Sequence, residues 1–143
     1  MSLFSKLKEM KMLLIDDDVW IRNSLDLYFD GEGVDLLALE TAEEGLETLK
    51  KISYDIIIVD YRLPGIDGLE FFKRIKATHP EAIKILITAY KDQKVLSEAA
   101  KIGIQYLIEK PFTIKTIEQA LSRMICKRDL QEKKNLKDLK KIT

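Results

Sequence analysis

Carboxylate side chains follow two short apolar runs of this sequence. Asp16, Asp17 and Asp18 come directly after KMLLI, and Asp60 comes directly after IIIV. A carboxylate at the end of a buried strand is costly unless a proton, a cation or a hydrogen bond compensates its charge. Carboxylate oxygens are also ligands that Mg²⁺ prefers in proteins. If the fold brings the two acidic positions together, they could hold a divalent cation.

The same acids also allow a purely structural interpretation. Aspartate is a favoured residue at the start of a helix, where its side chain accepts hydrogen bonds from free backbone amides. Asp18 is predicted to cap the helix that follows it, and Asp67 is predicted to cap the helix that begins with GLEFFKRI. Asp60 lacks this interpretation, because it follows four apolar residues and no capping pattern begins there. Asp60 therefore carries the strongest indication of a functional role.

A hydroxyl and an ammonium group stand at the ends of two further apolar runs. KILIT ends at Thr88, and Lys110 follows IQYLIE. A hydroxyl can donate a hydrogen bond to a phosphoryl oxygen, and a lysine can neutralise the charge of that group. Taken singly, each residue has an ordinary interpretation that is at least as good: Thr88 as a common strand residue, and Lys110 as a solvated side chain. Together with the acids, they indicate a site for a phosphoryl group and a divalent cation.

The apolar runs are predicted to be buried strands, because all are short and several are rich in β-branched residues. Five such runs occur, at 11–15, 34–39, 55–59, 84–88 and 104–108. Each is followed by apolar residues at helical spacing. Thr41 with Glu44 forms a capping-box pattern at the start of the second predicted helix. The chain therefore alternates strands with amphipathic helices.

Such alternation predicts an α/β fold with a parallel sheet covered on both faces. We expect a flavodoxin-like, doubly wound sheet of five strands in the order 2-1-3-4-5, with five helices. Ligands bind such sheets at the carboxyl ends of the strands, where the winding direction reverses. In this order the reversal lies between strands one and three. Asp16 and Asp60 would therefore be neighbours.

Composition narrows the class of protein further. The chain has 143 residues with 24 basic and 24 acidic side chains, so one domain is expected and no positive field suggests nucleic-acid binding. The single cysteine, Cys126, favours a reducing compartment. No apolar stretch resembles a signal peptide or a membrane span. We expect a cytoplasmic protein with no membrane partner.

The amino-acid composition changes at Lys127, after which most residues are charged. We expect an N-terminal extension at 1–10, one domain at 11–126, and a charged helical extension or linker at 127–143. The last segment is open to two interpretations. It is either a solvated helix or a connection to a dimer partner or an output domain beyond Thr143.

Four motifs together resemble the receiver domains of bacterial two-component response regulators. They are LLIDDD, IVDYRLPGIDG, ITAY and EKPF, and the resemblance extends from Lys11 to Arg123. Their combination and order are highly specific, whereas no single motif is. The resemblance implies that the domain at 11–126 is a receiver domain.

The resemblance implies a role for each site residue. Asp60 would accept a phosphoryl group, with Thr88 as the switch hydroxyl and Lys110 paired to a phosphoryl oxygen. Mg²⁺, or Mn²⁺ as a substitute, would be held by the carboxylates of Asp16, Asp17 and Asp60 and by the backbone carbonyl of Arg62. The peptide bond between Lys110 and Pro111 would be cis.

The resemblance also implies a function and partners. A sensor histidine kinase or a histidine phosphotransfer protein would phosphorylate Asp60, and the phosphorylated domain would switch a downstream output. Such a domain catalyses only its own phosphorylation and dephosphorylation, so it is not expected to be an enzyme. The alternative is a degenerate receiver, an interaction module that works without phosphorylation. An aspartate-nucleophile phosphatase of the Asp-x-Asp type is disfavoured, because Arg62 occupies the position of the second acid.

Three positions depart from the family pattern or modify it. The aromatic residue that usually lies three positions before the lysine is Leu107 here, and the tyrosine is Tyr106. Because adjacent strand residues face opposite sides of a sheet, Tyr106 is not expected to inherit the switch role. Arg62 and Tyr90 should flank the site and affect dephosphorylation. Two interpretations of Tyr90 are equally consistent with the sequence: a ring that partly shields the acyl phosphate from water, or an exposed loop residue.

Overall fold

Five parallel strands form one sheet in the order β2-β1-β3-β4-β5. The computed structural model describes residues 2–142. The strands are β1 (Lys11–Ile15), β2 (Asp35–Leu39), β3 (Ile56–Asp60), β4 (Ile83–Thr88) and β5 (Tyr106–Glu109). The helices are α1 (Leu3–Leu7), α2 (Val19–Gly31), α3 (Ala42–Lys51), α4 (Gly68–Ile75), α5 (Gln93–Lys101) and α6 (Ile114–Ile142). The predicted fold class and strand order are confirmed.

The sheet separates two hydrophobic clusters, because successive strand residues face opposite sides. Ile56 and Ile58 of β3 pack with residues of α2 and α6 on one side. Ile57 and Val59 pack with residues of α3, α4 and α5 on the other side. Every residue of β3 is buried, which explains why its sequence is continuously apolar up to its last residue. The carboxyl end of β3 is thus fixed by packing on both faces.

Side-chain caps fix where the helices after the first three strands begin. The carboxylate of Asp18 accepts hydrogen bonds from the first amides of α2, and that of Asp67 does so for α4. Thr41 and Glu44 form the reciprocal capping box of α3. All three caps confirm the sequence predictions. Each cap needs residues no more than three positions apart, which is why the local sequence is sufficient to predict it.

The structure contains a sixth helix, α1, in the segment predicted only as an N-terminal extension. Leu7 of α1 is fully buried, and Phe4 makes an edge-to-face contact with Tyr28 of α2. The ammonium of Lys6 lies 2.7 Å from the carboxylate of Asp129 in α6. A helix of five residues gives too little periodicity to be recognised in the sequence. It forms because its apolar side chains pack between α2 and α6.

Helix α6 runs without interruption from Ile114 to Ile142. Its first part packs on the sheet through residues such as Leu121 and Ile125, whereas residues 130–141 are all exposed. The segment predicted to be a charged extension is therefore a continuation of α6 as far as Ile142, and the predicted domain boundaries stay a prediction. Within residues 2–142, no helix is both long and apolar enough to cross a membrane.

Candidate phosphoryl-acceptor site

Four predicted site residues meet at the carboxyl edge of the sheet. Asp16 follows β1, Asp60 is the last residue of β3, Thr88 is the last residue of β4, and Lys110 follows β5. Because β1, β3 and β4 are adjacent and parallel, their carboxyl ends lie side by side. The site is therefore produced directly by the strand order.

Three carboxylates form a compact cluster at this edge. Asp16, Asp17 and Asp60 each contribute one oxygen, and these atoms lie within 4.8 Å of one another. Asp16 and Asp60 are buried, whereas Asp17 is exposed. Such a group of acids is unfavourable alone, because like charges repel and burial removes their hydration. The arrangement is suited to a cation that enters from the exposed side.

The hydrogen bonding of Asp16 indicates whether these residues suit a metal ion. Asp16 Oδ1 accepts a hydrogen bond of 2.9 Å from the amide of Asp18. Asp16 Oδ2 is buried and has no hydrogen-bond partner among the described residues. Buried polar atoms without partners are rare in folded proteins and call for an explanation such as a bound ion. A buried carboxylate oxygen that accepts no hydrogen bond from the described residues, beside two further carboxylates, fits Mg²⁺, which takes oxygen ligands.

The ammonium of Lys110 lies against two carboxylates of the cluster. Its Nζ lies 3.2 Å from Oδ2 of Asp60 and 3.6 Å from Oδ2 of Asp16. Its backbone amide donates a hydrogen bond of 2.8 Å to the carbonyl oxygen of Thr88, which anchors the start of the loop to β4. The peptide bond between Lys110 and Pro111 is cis, as expected. The sheet thus brings Asp60 and Lys110 into contact, although they are 50 positions apart in the sequence.

Burial controls the protonation of the site. It raises the pKa of Asp16 to about 6, and the charge of Asp60 adds to this shift while the Asp18 amide opposes it. Burial also raises the pKa of Asp60 and outweighs the opposing effect of Lys110. For Lys110, burial alone would lower the pKa, but the charges of Asp16 and Asp60 reverse the direction and raise it. The positive charge of Lys110 alone therefore does not offset the cost of burying the two carboxylates.

The hydroxyl of Thr88 is bonded to the loop after β4 rather than to Asp60. Thr88 Oγ1 donates to the carbonyl oxygen of Tyr90 at 3.1 Å and accepts from the amide of Tyr90 at 3.3 Å. Thr88 itself is buried. Its position at the end of β4 agrees with the sequence, whereas the direction of its hydroxyl could not be read from the sequence.

Arg62 and Tyr90 lie in the loops that border the site. Arg62 follows Asp60 by two residues and has an exposed side chain. Tyr90 is 71% exposed, so its ring does not cover the site in this conformation. The roles of the Arg62 carbonyl in metal binding and of both side chains in dephosphorylation stay predictions.

Tyr106 and Leu107 face opposite sides of the sheet, as the alternation of strand residues predicts. Leu107 is buried with residues of α3, α4 and α5, the side on which Leu86 also packs. Tyr106 packs on the other side, and the guanidinium carbon of Arg123 lies 5.9 Å from the centre of its ring. Tyr106 is therefore held by α6, and no aromatic ring occupies position 107.

The structure adds three residues to the surroundings of the site. Arg22 donates a hydrogen bond of 2.8 Å from Nη1 to the carbonyl oxygen of Asp16. Glu109 Oε2 accepts a hydrogen bond of 3.0 Å from the amide of Lys91. Gly68 lies so close to β3 that an added Cβ would be 2.5 Å from the carbonyl oxygen of Asp60. Only Gly68 had a sequence signal, since it follows a helix-capping aspartate; the other contacts join residues with no local pattern.

Two solved structures illustrate the likeness in architecture. The chemotaxis response regulator CheY4 of Vibrio cholerae matches with a TM-score of 0.75 and 24% identity, over 80% of this chain and 98% of that one. A response regulator receiver domain protein from Clostridium thermocellum matches with a TM-score of 0.75 and 26% identity, over 85% of this chain and 98% of that one. The first of these likenesses concerns the fold alone.

The sequence defines the family directly. The family described as response regulator receiver domain matches residues 12–122. The chain therefore belongs to the response regulator receiver family, which confirms the resemblance seen in its motifs.

Relatives of known type differ in how much of their length this chain covers. Sporulation initiation phosphotransferase F of Bacillus subtilis is 30% identical over 115 residues, which cover 80% of this chain and 93% of the relative. Transcriptional regulatory protein FixJ of Bradyrhizobium diazoefficiens is 34% identical over 99 residues, 69% of this chain but only 48% of FixJ. A cyclic di-GMP phosphodiesterase of Thermotoga maritima is 28% identical over 92% of this chain and 36% of its own length. The chain thus spans half or less of some relatives and nearly all of another.

Proposed function

We propose that this receiver domain accepts a phosphoryl group on Asp60 from a phosphohistidine of a sensor histidine kinase or a phosphotransfer protein, in a Mg²⁺-dependent reaction. The observation that carries the proposal is the position of the Lys110 ammonium between the buried carboxylates of Asp16 and Asp60. A nucleophile, a fixed cation and a buried carboxylate oxygen that accepts no hydrogen bond within residues 2–142 then lie in one pocket. Phosphoryl transfer depends mainly on such positioning and charge neutralisation.

The transfer step uses the carboxylate of Asp60 as the nucleophile. One of its oxygens attacks the phosphorus atom, the bond from phosphorus to the donor imidazole nitrogen breaks, and the electron pair stays on that nitrogen. Lys110 offsets negative charge on the phosphoryl oxygens. Mg²⁺, held by Asp16, Asp17 and Asp60 with the Arg62 carbonyl, supplies further charge neutralisation when bound. Asp60 then carries an acyl phosphate.

The reverse of activation is hydrolysis of this acyl phosphate. A water oxygen attacks phosphorus, the bond to the Asp60 oxygen breaks, and inorganic phosphate leaves while the carboxylate is regenerated. The domain thus acts on its own aspartate and is proposed not to turn over a separate substrate.

Its output surface is proposed to be formed by α5, β5 and α6. That surface would contact a downstream partner, an attached output domain or a second copy of the chain.

The test is phosphorylation by acetyl phosphate followed by intact-mass measurement. We expect a mass gain of one phosphoryl group that requires Mg²⁺ and is lost in Asp60→Ala. Asp26→Ala, which removes an exposed acid of α2, is the matched control and should behave as the wild type. A gain that survives Asp60→Ala would contradict the assignment of the acceptor. No gain in the wild type at saturating Mg²⁺ would favour the degenerate, phosphorylation-independent receiver.

A further inference from the structure

Two consecutive amides of the loop between β4 and α5 are bonded by side chains from the sheet. The amide of Tyr90 donates to Oγ1 of Thr88 at 3.3 Å, and the amide of Lys91 donates to Oε2 of Glu109 at 3.0 Å. Thr88 and Glu109 are paired residues at the carboxyl ends of β4 and β5. The sheet edge therefore holds this loop through two adjacent contacts.

These contacts decide where the Thr88 hydroxyl points. Oγ1 of Thr88 donates to the carbonyl oxygen of Tyr90 and accepts from its amide, so the single O–H donor of Thr88 is used by the loop. Thr88 can donate to a phosphoryl oxygen on Asp60 only after its bond to the Tyr90 carbonyl oxygen breaks. The side chain of Glu109 makes no hydrogen bond to Thr88 here. Instead it holds Lys91, the residue that follows Tyr90.

We propose that Glu109 is a positioning residue that holds the loop between β4 and α5 in the conformation that binds the Thr88 hydroxyl, and so opposes phosphorylation of Asp60. This proposal rests on the proposed function. The contact is within hydrogen-bond distance and joins residues 18 positions apart, so it exists only in the folded sheet. Loss of the acceptor leaves the Lys91 amide to solvent and frees the loop. The equilibrium then shifts toward the conformation in which Thr88 turns to Asp60.

Glu109 differs from the proposed metal ligands and phosphoryl acceptor in that its side chain acts on the loop between β4 and α5. Its carboxylate is exposed and bonds to a backbone amide, and its neighbour Lys110 holds the strand end to β4 through the bond from the Lys110 amide to the Thr88 carbonyl. That backbone bond is independent of the Glu109 side chain. Substitution at 109 should therefore loosen the loop without moving the strand end.

The first experiment measures amide hydrogen exchange by NMR in the full chain, without Mg²⁺ or phosphodonor. We expect Glu109→Ala to accelerate exchange of the Lys91 amide about threefold or more, the effect of one modest hydrogen bond. Glu109→Gln keeps an oxygen acceptor and should restore slow exchange. Lys91→Ala removes the lysine charge but keeps the amide, and should exchange like the wild type. Unchanged exchange in Glu109→Ala, or acceleration spread evenly over β5 and α5, would overturn the proposal.

The second experiment measures the rate of phosphorylation by acetyl phosphate with Mg²⁺. We expect Glu109→Ala to react about threefold faster than the wild type, and Glu109→Gln and Lys91→Ala to react at the wild-type rate. Glu9→Ala, an exposed acid before β1, controls for the change in net charge. Equal rates for Glu109→Ala and wild type, despite faster Lys91 exchange, would overturn the role of Glu109 in the reaction. Absence of any phosphorylation in the wild type would instead contradict the proposed function, and this proposal with it.

Discussion

The ammonium nitrogen of Lys110 lies 3.2 Å from Oδ2 of Asp60, although 50 positions separate the two residues in the sequence. The contact is possible because β3 and β5 flank β4 and all three strands end at the same edge. It places an ammonium group directly against the predicted nucleophile. The energetic and kinetic importance of this contact can be measured separately.

Replacement of Lys110 by methionine should destabilise the metal-free protein. Asp16 and Asp60 would stay buried without a fixed cation, and loss of one partner of a buried ion pair is costly, so we expect a loss of about 2 kcal/mol in the free energy of unfolding at pH 8. Mg²⁺ should recover most of this loss, because a divalent cation can replace the missing charge. Urea unfolding with and without Mg²⁺ measures both effects. Lys115→Met, at an exposed position of α6, is the control and should change neither value appreciably.

Mg²⁺ binding should depend on Asp17 but not on the adjacent Asp18. Asp17 belongs to the carboxylate cluster, whereas Asp18 uses its side chain to cap α2. We expect Asp17→Asn to weaken Mg²⁺ affinity about tenfold or more, by analogy with the loss seen when a metal site loses a supporting group. Asp18→Asn keeps a good capping residue and should bind as the wild type does. The measurement is a Mg²⁺ titration followed by calorimetry, with the fluorescence of Trp20 as a second probe. Equal affinities for the two variants would contradict the proposed ligand set.

Gly68 should not tolerate even the smallest side chain. A Cβ at this position would lie 2.5 Å from the Asp60 carbonyl oxygen and 3.0 Å from the Cα of Tyr61, both backbone atoms. We expect Gly68→Ala to lower the free energy of unfolding by about 1–3 kcal/mol and to slow phosphorylation by displacing Asp60. Gly31→Ala is the matched control, since a Cβ there meets no atom within 4 Å. A variant at Gly68 with wild-type stability and rate would show that the close approach is not needed.

Lys84 should make stability depend on pH in the alkaline range. This lysine of β4 is only 3% exposed, and its pKa is lowered by burial and by the charge of Lys76. Between this lowered value and the ordinary value near 10.5, the unfolded chain binds more protons, so the free energy of unfolding rises with pH. Below the lowered pKa, the buried charge costs stability. Lys84→Met should therefore add about 1 kcal/mol at pH 7 and remove the alkaline rise.

Urea unfolding at pH 7 and pH 10 measures this difference. Lys94→Met, at an exposed position of α5, controls for the loss of one positive charge. An identical pH dependence in the wild type and Lys84→Met would contradict the assignment of a buried, destabilising ammonium.

Features with local causes were predictable from the sequence, and features with tertiary causes were not. The caps at Asp18 and Asp67 depend on neighbouring amides, and the opposite facing of Tyr106 and Leu107 follows from strand geometry alone. Helix α1 was missed because it depends on the burial of Leu7 by other elements.

The same distinction applies within the site. The positions of Asp16 and Asp60 followed from the strand order, because the carboxyl ends of neighbouring parallel strands coincide. The direction of the Thr88 hydroxyl and the bond between Glu109 and Lys91 did not, because each depends on a side-chain rotamer and on a loop conformation. Those details decide how the pocket is regulated rather than where it lies.

Helix α6 has a mechanical consequence that follows from its length. From Leu130 to Lys141, at about 1.5 Å per residue, the exposed part of α6 extends over roughly 17 Å. A straight rod of that reach converts a small tilt at its base into a larger displacement at its tip, on the order of 3 Å for about 10°. The ion pair between Lys6 and Asp129 lies near the base of this rod, where a change of contact would act with the greatest leverage.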